Sequence, residues 1–240
     1  MIAKLLLSTL PPILYRLPIW AFRKLKNGNL PTLPPEYQAV RRGHHCLFKL
    51  VRDYDFDTVL DIGAGAGSHS DVLSRKGKTV TAIDLGTSVY AADRAETVPW
   101  RRMDIGFYEF DATEQFDCIW ASHVLEHQPD PGVFIRRCIK LTKPDGIIAI
   151  TVPPLKHRIV GGHLSLWNAG LLLYQLTFNG LDTQDAAICT YGYNVSVIVR
   201  NRKRPEVELD FDKGDISKLQ PFMPSFVNEP FDGRVYRWNW

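Results

Sequence analysis

The 240-residue sequence lacks several features that mark common classes of protein. Its four cysteines are widely spaced and form no C-x-x-C pair, which indicates a reducing compartment and argues against a zinc site. Its 29 basic and 26 acidic residues nearly cancel, so nucleic acid is not an expected partner. The sequence has no P-loop and no nucleophile elbow, so neither kinase-like nor covalent acyl chemistry is indicated.

The sequence also has no uninterrupted apolar run that could span a membrane, although residues 1–22 are strongly apolar. Prolines at positions 11, 12 and 18 interrupt this segment, whereas a spanning helix needs about 20 apolar residues. No small-residue cleavage site marks it as a secretion signal. Residues 1–35 are therefore predicted to form a lid on the domain, with an interfacial anchor as the alternative because basic residues follow residue 22. We expect a cytoplasmic protein, with peripheral contact at the inner membrane face through residues 1–26 if the anchor interpretation holds.

The remainder of the chain is predicted to form one domain. With 45% apolar residues, the sequence can bury a substantial core. We expect the catalytic domain over residues 36–200 and an irregular tail, rich in Pro, Asp, Lys and scattered aromatics, over residues 201–240. The sequence leaves the oligomeric state open.

Strand-like apolar runs alternate with helical stretches across this domain, which is typical of right-handed βαβ units and a parallel sheet. The predicted strands are residues 58–62, 79–84, 116–121 and 146–152. The predicted helices are residues 36–53, 131–141 and 167–178. Two later strands, residues 185–190 and 194–200, are separated by only Tyr191, Gly192 and Tyr193, which predicts a tight antiparallel pair.

The strongest chemical signal is the segment from Val59 to Gly67, in which an apolar strand runs into a glycine-rich turn before a helix. Glycines let the backbone turn sharply and approach a ligand closely. The dinucleotide fingerprint G-x-G-x-x-G requires a glycine where this chain has Ser68. In addition, the carboxylate of Asp61 would repel a pyrophosphate but suits the ammonium and sulfonium groups of S-adenosylmethionine. The segment therefore favours that methyl donor over a dinucleotide.

Two acidic residues follow the glycine-rich turn at intervals of about one βαβ unit. Asp84 ends the next predicted strand, where its carboxylate can accept hydrogen bonds from both ribose hydroxyls of the donor. Asp104 ends a short strand after that, where its carboxylate can accept a hydrogen bond from the adenine amino group. Asp111 is a competing candidate for this role. The two carboxylates are predicted to bind the adenosine half of the donor.

These segments together resemble the class I S-adenosylmethionine-dependent methyltransferases. The resemblance rests on the loop 61–67, on Asp84, on the strand 116–120 leading to residues 122–127, and on the Lys-Pro-Asp-Gly turn at 143–146. It covers residues 59–153 and preserves the order of the family's motifs. It implies an α/β fold: a Rossmann-like, seven-stranded, mostly parallel sheet with an antiparallel last strand, helices on both faces, and the donor over the carboxyl ends of the strands.

The donor-binding and catalytic residues are predicted on this basis. The predicted donor-binding residues are Asp61, Gly63, Ala64, Gly65, Gly67, Asp84, Leu85, Asp104, Ile105, Ser122 and His123. The candidate general bases are His163, His123 and His127, because a hydroxyl acceptor must lose its proton. His163 is of particular interest, since it follows a Gly-Gly pair in the loop after a strand that ends at the predicted site.

The block from His123 to His127 leaves a choice between a metal site and local hydrogen bonds. Some methyltransferases of small phenols and of RNA ends carry a Glu-x-x-Glu-His metal site here, and in this chain His123 replaces the first glutamate. A cluster of histidine and glutamate can still hold a divalent cation. However, many metal-free members also have Leu-Glu-His at this place, so we predict that no metal is bound.

The sequence predicts transfer of a methyl group from S-adenosylmethionine to a small-molecule or saccharide acceptor, most simply at an oxygen. A weaker similarity, carried by residues 161–167 and 190–195, to bacterial methyltransferases of surface-polysaccharide synthesis favours a sugar or glycolipid acceptor. Two alternatives remain open: a non-catalytic binding or scaffold subunit with the same fold, and a nicotinamide-dependent oxidoreductase. Intact Asp61, Gly63, Gly65 and Asp84 argue against the first, and Ser68 against the second.

Overall fold

The computed structural model describes residues 30–240, so the expectations for residues 1–29 lie outside the described part. Its strands are β1 (Thr58–Ile62), β2 (Thr79–Asp84), β3 (Arg101–Asp104), β4 (Phe116–Ser122), β5 (Thr142–Val152), β6 (Ala187–Tyr191), β7 (Asn194–Arg200) and β8 (Arg237–Trp238). Its helices are α1 (Pro35–Gln38), α2 (His44–Asp53), α3 (Ser68–Arg75), α4 (Pro131–Leu141), α5 (Ala169–Phe178) and α6 (Asp215–Leu219). The longest of these helices has 11 residues, and none is long and apolar enough to cross a membrane.

The strands form one sheet in the order β3-β2-β1-β4-β5-β7-β6-β8. The pairs from β3 to β5 are parallel, whereas β7 pairs antiparallel with both β5 and β6. The strand order reverses at β1: the crossover from β1 leads to β2 on one side, and the crossover from β3 leads to β4 on the other side. In open α/β sheets, ligands bind at such a point, beyond the carboxyl ends of the strands. A ligand site is therefore expected at the carboxyl ends of β1, β2 and β4.

Hydrophobic layers cover both faces of the sheet, as the resemblance implies. Alternate residues of a strand point to opposite faces, so Leu60 and Ile119 pack in one layer while Val59 and Cys118 pack in the other. The first layer is covered by α4, α5 and the C-terminal tail, and the second by α2 and α3. All four cysteines are buried, and they pack as small apolar side chains.

The structure corrects the predicted strand count and the predicted tail. The sheet has eight strands rather than seven, because Arg237 and Trp238 pair with β6 at the sheet edge. The tail over residues 201–240 is also not wholly irregular, since it contains α6. A two-residue strand has no readable periodicity, so its pairing depends on tertiary contacts that the sequence pattern does not show.

The predicted helix over residues 36–53 is broken in the structure. The chain forms α1, then leaves the helical path and enters α2 after Gly43, which has a left-handed φ of 62°. A Cβ atom at this position would lie 2.9 Å from Ser122 Oγ and 3.0 Å from the Trp120 ring. Glycine at this break therefore lets the segment pass directly over the end of β4.

The Lys-Pro-Asp-Gly segment at 143–146, predicted as a turn before a strand, lies within β5. The register between β4 and β5 shifts between Phe116 and Cys118, and Asp145 has a left-handed φ of 59°. The segment is thus an irregularity inside the strand rather than a separate turn. A bulge keeps strand pairing while it introduces the local bend that the sequence suggests.

Candidate active site

The glycine-rich turn follows β1 directly. The backbone N–H groups of Gly63 and Ala64 both donate to the carbonyl of Ile83, at 2.8 and 3.2 Å, which ties the turn to the end of β2. Gly63 and Gly67 have left-handed φ values of 68° and 88°. A Cβ atom at Gly63 would lie 2.5 Å from Val124, and a Cβ at Gly67 would lie 2.4 Å from the Trp100 ring. These two glycines are therefore required by both conformation and space.

Asp61 is a buried carboxylate at the carboxyl end of β1. Only 1% of its surface is exposed, and its Oδ2 accepts a hydrogen bond from the Ser70 hydroxyl at 2.6 Å. Burial raises the pKa of Asp61 to about 7, and the nearby charge of Asp84 acts in the same direction. A buried carboxylate with one neutral partner gains most from a cationic ligand. The position thus suits the ammonium group predicted from the sequence.

Asp84 and Asp104 lie side by side at the ends of the paired strands β2 and β3. Asp84 Oδ2 accepts from the Gly65 backbone N–H at 2.9 Å, and Oδ1 accepts from the Gly86 N–H at 2.8 Å. These bonds hold the carboxylate between two glycine-containing turns. The structure therefore brings both predicted adenosine-binding carboxylates to one place.

Arg94 connects these two carboxylates, and the sequence analysis did not single it out. Its guanidinium lies 3.0 Å from Asp84 Oδ1 and 2.5 Å from Asp104 Oδ1. Its Nε also donates to the Gly65 carbonyl at 2.9 Å. The guanidinium thus occupies hydrogen-bonding positions at the carboxylates to which ribose and adenine groups were assigned.

The apolar residues predicted beside the donor lie next to these carboxylates. Leu85 is 68% exposed, which is unusual for a leucine in a folded domain, and Ile105 is partly buried against the core. The Leu85 side chain also approaches the turn at Gly106, where a Cβ atom would lie 3.3 Å from it. An exposed apolar side chain beside two carboxylates can contact the face of a planar base. Ala64 lies in the glycine turn, and Ser122 is buried at the end of β4.

His123 is held at the end of β4 in a left-handed conformation, with φ at 58°. Its Nε2 lies 3.1 Å from Asn194 Oδ1, which also accepts the backbone N–H of Gly43 at 3.0 Å. Because Gly43 N–H can only donate, the Asn194 atom is an oxygen, and His123 Nε2 must carry a proton. His123 Nδ1 lies 3.2 Å from Glu126 Oε1, so both ring nitrogens have partners.

The contact between His123 and Glu126 requires a proton on one of the two groups, since a lone pair facing a carboxylate at this distance would be repelled. Glu126 is fully buried, and neither of its oxygens has a well-aligned hydrogen bond within residues 30–240. A buried carboxylate in that state relies on neighbouring positive charge. Glu126 is therefore placed to stabilise a positive charge that develops on a neighbouring histidine.

His127 and His163 lie on the other side of Glu126. His127 Nδ1 donates to the Gly162 carbonyl at 2.7 Å, and its Nε2 lies 3.9 Å from Glu126 Oε1. The His163 ring meets the His127 ring edge to face, with centroids 4.9 Å apart. Within residues 30–240 the His163 side chain makes no hydrogen bond, and burial lowers its pKa. His163 is therefore neutral at pH 7 and has a ring nitrogen free to accept a proton.

The same cluster has the composition of a cation site. Glu126, His127 and His163 each offer one ligand atom, and these atoms lie within 4.8 Å of one another. One carboxylate oxygen and two imidazole nitrogens suit a divalent transition-metal ion. The donor set also suits proton transfer without a metal, because Glu126 can stabilise an imidazolium. The geometry is compatible with both uses, and the predicted absence of a metal stays a prediction.

The structure brings all three candidate histidines to one place around Glu126, but several functional groups were missed from the sequence. Glu126 was considered as a metal ligand or as a residue that hydrogen-bonds locally, Asn194 was quoted without a role, and Arg94 was not considered. Arg94 lies between strands in a stretch without clear periodicity, so its sequence position alone carries no signal. Asn194 lies 71 residues after His123, and only the fold brings them together.

Comparison with known proteins shows similarity to methyltransferases. Residues 60–150 match the family described as "Methyltransferase domain". The chain is 35% identical over 94 residues to the ubiquinone biosynthesis O-methyltransferase of Pseudomonas fluorescens (strain Pf0-1), an alignment that covers 37% of this chain and 40% of that protein. It is 34% identical over 100 residues to the corresponding Pseudomonas paraeruginosa protein, covering 39% and 43% of the two chains. The chain thus spans less than half the length of these curated relatives.

Solved structures share the fold. The N-methyltransferase NodS of Bradyrhizobium japonicum, in complex with S-adenosyl-l-homocysteine, aligns with a TM-score of 0.54 and 21% identity over 66% of this chain and 85% of that chain. The 1,6-didemethyltoxoflavin-N1-methyltransferase of Burkholderia thailandensis, with its substrate and S-adenosylhomocysteine bound, aligns with a TM-score of 0.51 and 20% identity. That alignment covers 78% of this chain and 81% of the other.

Proposed function

We propose that this chain is a class I S-adenosylmethionine-dependent methyltransferase and that it transfers a methyl group from S-adenosylmethionine to an acceptor oxygen. The family match over residues 60–150 and the shared fold support this proposal. The observation that carries this proposal is the group formed by the glycine-rich turn, Asp61 and Asp84 at the carboxyl ends of β1 and β2. Asp61 offers a counter-charge to the donor's ammonium, and Asp84 offers oxygens to its ribose. The donor thus lies across the point where the strand order reverses.

The chemical step is a direct in-line displacement. The acceptor oxygen forms a bond to the methyl carbon while the carbon–sulfur bond breaks, and its electron pair stays on sulfur to give S-adenosylhomocysteine. The hydroxyl proton passes to a ring nitrogen of His163, and the Glu126 carboxylate, with an oxygen within 4.8 Å of a ring nitrogen of His163, stabilises the imidazolium. The protein contributes mainly by holding both reactants at attack distance away from water.

We assign the general base to His163 because its ring is the only one of the three that makes no side-chain hydrogen bond within residues 30–240. His123 is occupied on both nitrogens and serves as a positioning residue, since it links Glu126 to Asn194. The resulting product is a methyl ether. The acceptor is a small molecule or a saccharide, and a hydroxyl of a surface-polysaccharide precursor in the cytoplasm is our preferred class.

The test of the proposal has two parts. Calorimetry should show binding of S-adenosylmethionine and S-adenosylhomocysteine in the micromolar range. Asp84→Ala should weaken both by about 1.5 to 3 kcal/mol, the value of hydrogen bonds to a charged partner. Labelled S-adenosylmethionine should then be screened for turnover against nucleotide sugars, glycans, quinone precursors and small acids.

The results also separate the alternatives. If the wild-type protein binds no S-adenosylmethionine but binds a nicotinamide dinucleotide, the chain is an oxidoreductase and the proposal is wrong. If it binds the donor but methylates nothing in the screen or in a metabolite extract, the result supports the alternative of a non-catalytic binding or scaffold subunit. Thermal melting must show that the Asp84→Ala variant folds like the wild-type protein, because Asp84 also anchors the turns at Gly65 and Gly86.

A further inference from the structure

The half of the carboxyl edge beyond the donor site is strongly cationic. Four segments meet there: residues 40–45, 122–128, 154–166 and 191–194, which we call the cationic rim. Contacts tie them together, since Asn194 accepts from Gly43 and faces His123, and His127 donates to Gly162. The rim contains six of the chain's seven histidines and four residues with a permanent positive charge, but only one carboxylate.

That single carboxylate does not neutralise the permanent charges. Glu126 is buried and faces His123 and His127, so its charge is directed toward the histidines. Arg42 and Lys156 are exposed, and neither forms an ion pair within residues 30–240. The chain as a whole has a net charge of only +3, so the rim concentrates positive charge at the place where the acceptor must enter.

Arg42 and Lys156 converge on one aromatic ring. The Arg42 guanidinium carbon lies 4.9 Å from the centroid of the Tyr193 ring, and Lys156 Nζ lies 4.0 Å from it. Because both distances are measured from the same centroid, the two cationic centres are within about 9 Å of each other. The hydroxyl of Tyr193 makes no hydrogen bond within residues 30–240, so it is a further free donor. The Tyr193 ring also stacks on His123, with centroids 5.8 Å apart.

We propose that Arg42, Lys156 and Tyr193 form a subsite for an oxyanion of the acceptor, so that the acceptor is an anionic molecule bearing a phosphate or a carboxylate. The inference rests on the proposed methyltransferase function and specifies its substrate class. An arginine fork and a lysine ammonium can each make a charge-assisted hydrogen bond to such a group. The subsite lies one ring away from His123, so an oxyanion held there places the rest of the acceptor over the histidine cluster.

The subsite is tested with the full chain saturated with S-adenosylhomocysteine, at constant ionic strength. Calorimetric titrations use inorganic pyrophosphate as a phosphate probe, glucuronate as a carboxylate probe and glucose as a neutral control. We expect pyrophosphate, glucuronate or both to bind and glucose not to bind. The tighter of the two anions identifies the chemical source of the oxyanion. If neither anion binds better than glucose, the proposal is overturned.

Variants assign the binding to the named residues. Lys156→Gln and Arg42→Gln should each weaken anion binding about tenfold, the loss of one charge-assisted hydrogen bond, and Lys156→Arg should restore most of it. The matched control is Lys140→Gln, which removes an exposed positive charge from the last turn of α4, at the opposite edge of the sheet. Equal anion affinity in Lys156→Gln, Arg42→Gln and Lys140→Gln would overturn the subsite.

Affinity for S-adenosylhomocysteine, measured on the same samples, distinguishes this proposal from the proposed function. It should be unchanged in Lys156→Gln and Arg42→Gln. If either variant instead loses affinity for S-adenosylhomocysteine, these cations bind the donor's own carboxylate and the acceptor subsite is wrong. If wild-type protein binds S-adenosylhomocysteine but no anion, the donor site stands and only the acceptor class is refuted.

Discussion

The guanidinium of Arg94 lies 3.0 Å from Oδ1 of Asp84, and both side chains are largely shielded from solvent. Asp84 already accepts hydrogen bonds from Gly65 and Gly86, so Arg94 takes much of its remaining capacity. In the proposed donor site, the ribose hydroxyls of the donor bind the same carboxylate. Donor binding must therefore displace the guanidinium or share the carboxylate with it.

Arg94→Ala is expected to strengthen donor binding. In the wild-type protein, donor binding must break the ion pair between Arg94 and Asp84, which costs about 1 kcal/mol. The variant lacks this pair, so its affinity for S-adenosylhomocysteine should be about fivefold higher. The measurement is calorimetry at low and high salt, and the salt dependence should be smaller in the variant. Arg101→Ala, at the start of β3, provides the control. Weaker binding by Arg94→Ala would mean that Arg94 orients Asp84 for the ribose instead.

Donor affinity is expected to rise with pH between about 6 and 8. Burial raises the pKa of Asp61 to about 7, so the carboxyl group is largely protonated below that pH and ionised above it. A cationic group of the donor binds the ionised carboxylate. Binding therefore lowers the pKa of Asp61 and releases a proton from it near neutral pH. Calorimetry in two buffers of different ionisation enthalpy measures this release.

Asp61→Asn supplies the matched control for the pH dependence, because its side-chain oxygen can still accept the Ser70 hydroxyl. The variant should bind the donor more weakly at pH 8, and its affinity should vary much less with pH. The folded protein should also be more stable with Asp61 protonated: a raised carboxyl pKa lowers stability as the pH rises through it. A wild-type affinity that is flat from pH 6 to 8 would contradict the role of Asp61.

His163→Ala is expected to lower turnover at least a hundredfold while donor affinity stays nearly unchanged, since general-base catalysis typically contributes that much. Burial lowers the pKa of His163, so turnover should rise with pH below about 6.5 and be level at neutral pH. His157→Ala, an exposed histidine in the same loop, is the control. If the His163→Ala variant folds normally and keeps the wild-type turnover, His163 is not the general base and His127 becomes the candidate.

Chelation distinguishes the two uses of the Glu126, His127 and His163 cluster. We expect turnover to survive exhaustive dialysis against EDTA, because the proposed proton transfer needs no cation. Metal analysis of the purified protein should accordingly find less than one equivalent of Zn²⁺, Mn²⁺ or Mg²⁺. Activity that is lost on chelation and restored by one of these ions would show that the cluster holds a metal.

Much of the fold could be predicted because local patterns encode it. The alternation of apolar strands and helices predicted the parallel sheet. The predicted bounds of β1 and β2 are identical to the observed ones, and those of β4 and β5 differ by one and four residues at one end. The predicted helix at 131–141 matches α4. The short strands β3 and β8 and the break at Gly43 were less accessible, because two to five residues carry too little periodicity.

The residues of the proposed donor site could be brought together from the sequence for a related reason. Its glycines and Asp61 lie within seven consecutive residues, and Asp84 follows one βαβ unit later, so chain order alone brings them to one edge. The placement of Leu85 and Ile105 next to the acidic strand ends follows in the same way. Their roles in binding remain predictions until donor affinities are measured.

By itself, the sequence determined the α/β fold class and the edge of the sheet where the glycine-rich turn, Asp61 and Asp84 lie, and it predicted the methyl donor, because these depend on short motifs and hydrophobic periodicity. Only the tertiary structure decided how the histidines differ from one another. The partners of His123 and His127, Asn194 and Gly162, lie 71 and 35 residues away in the chain. A proton's location depends on such contacts between distant segments, and no local pattern records which side chains will meet.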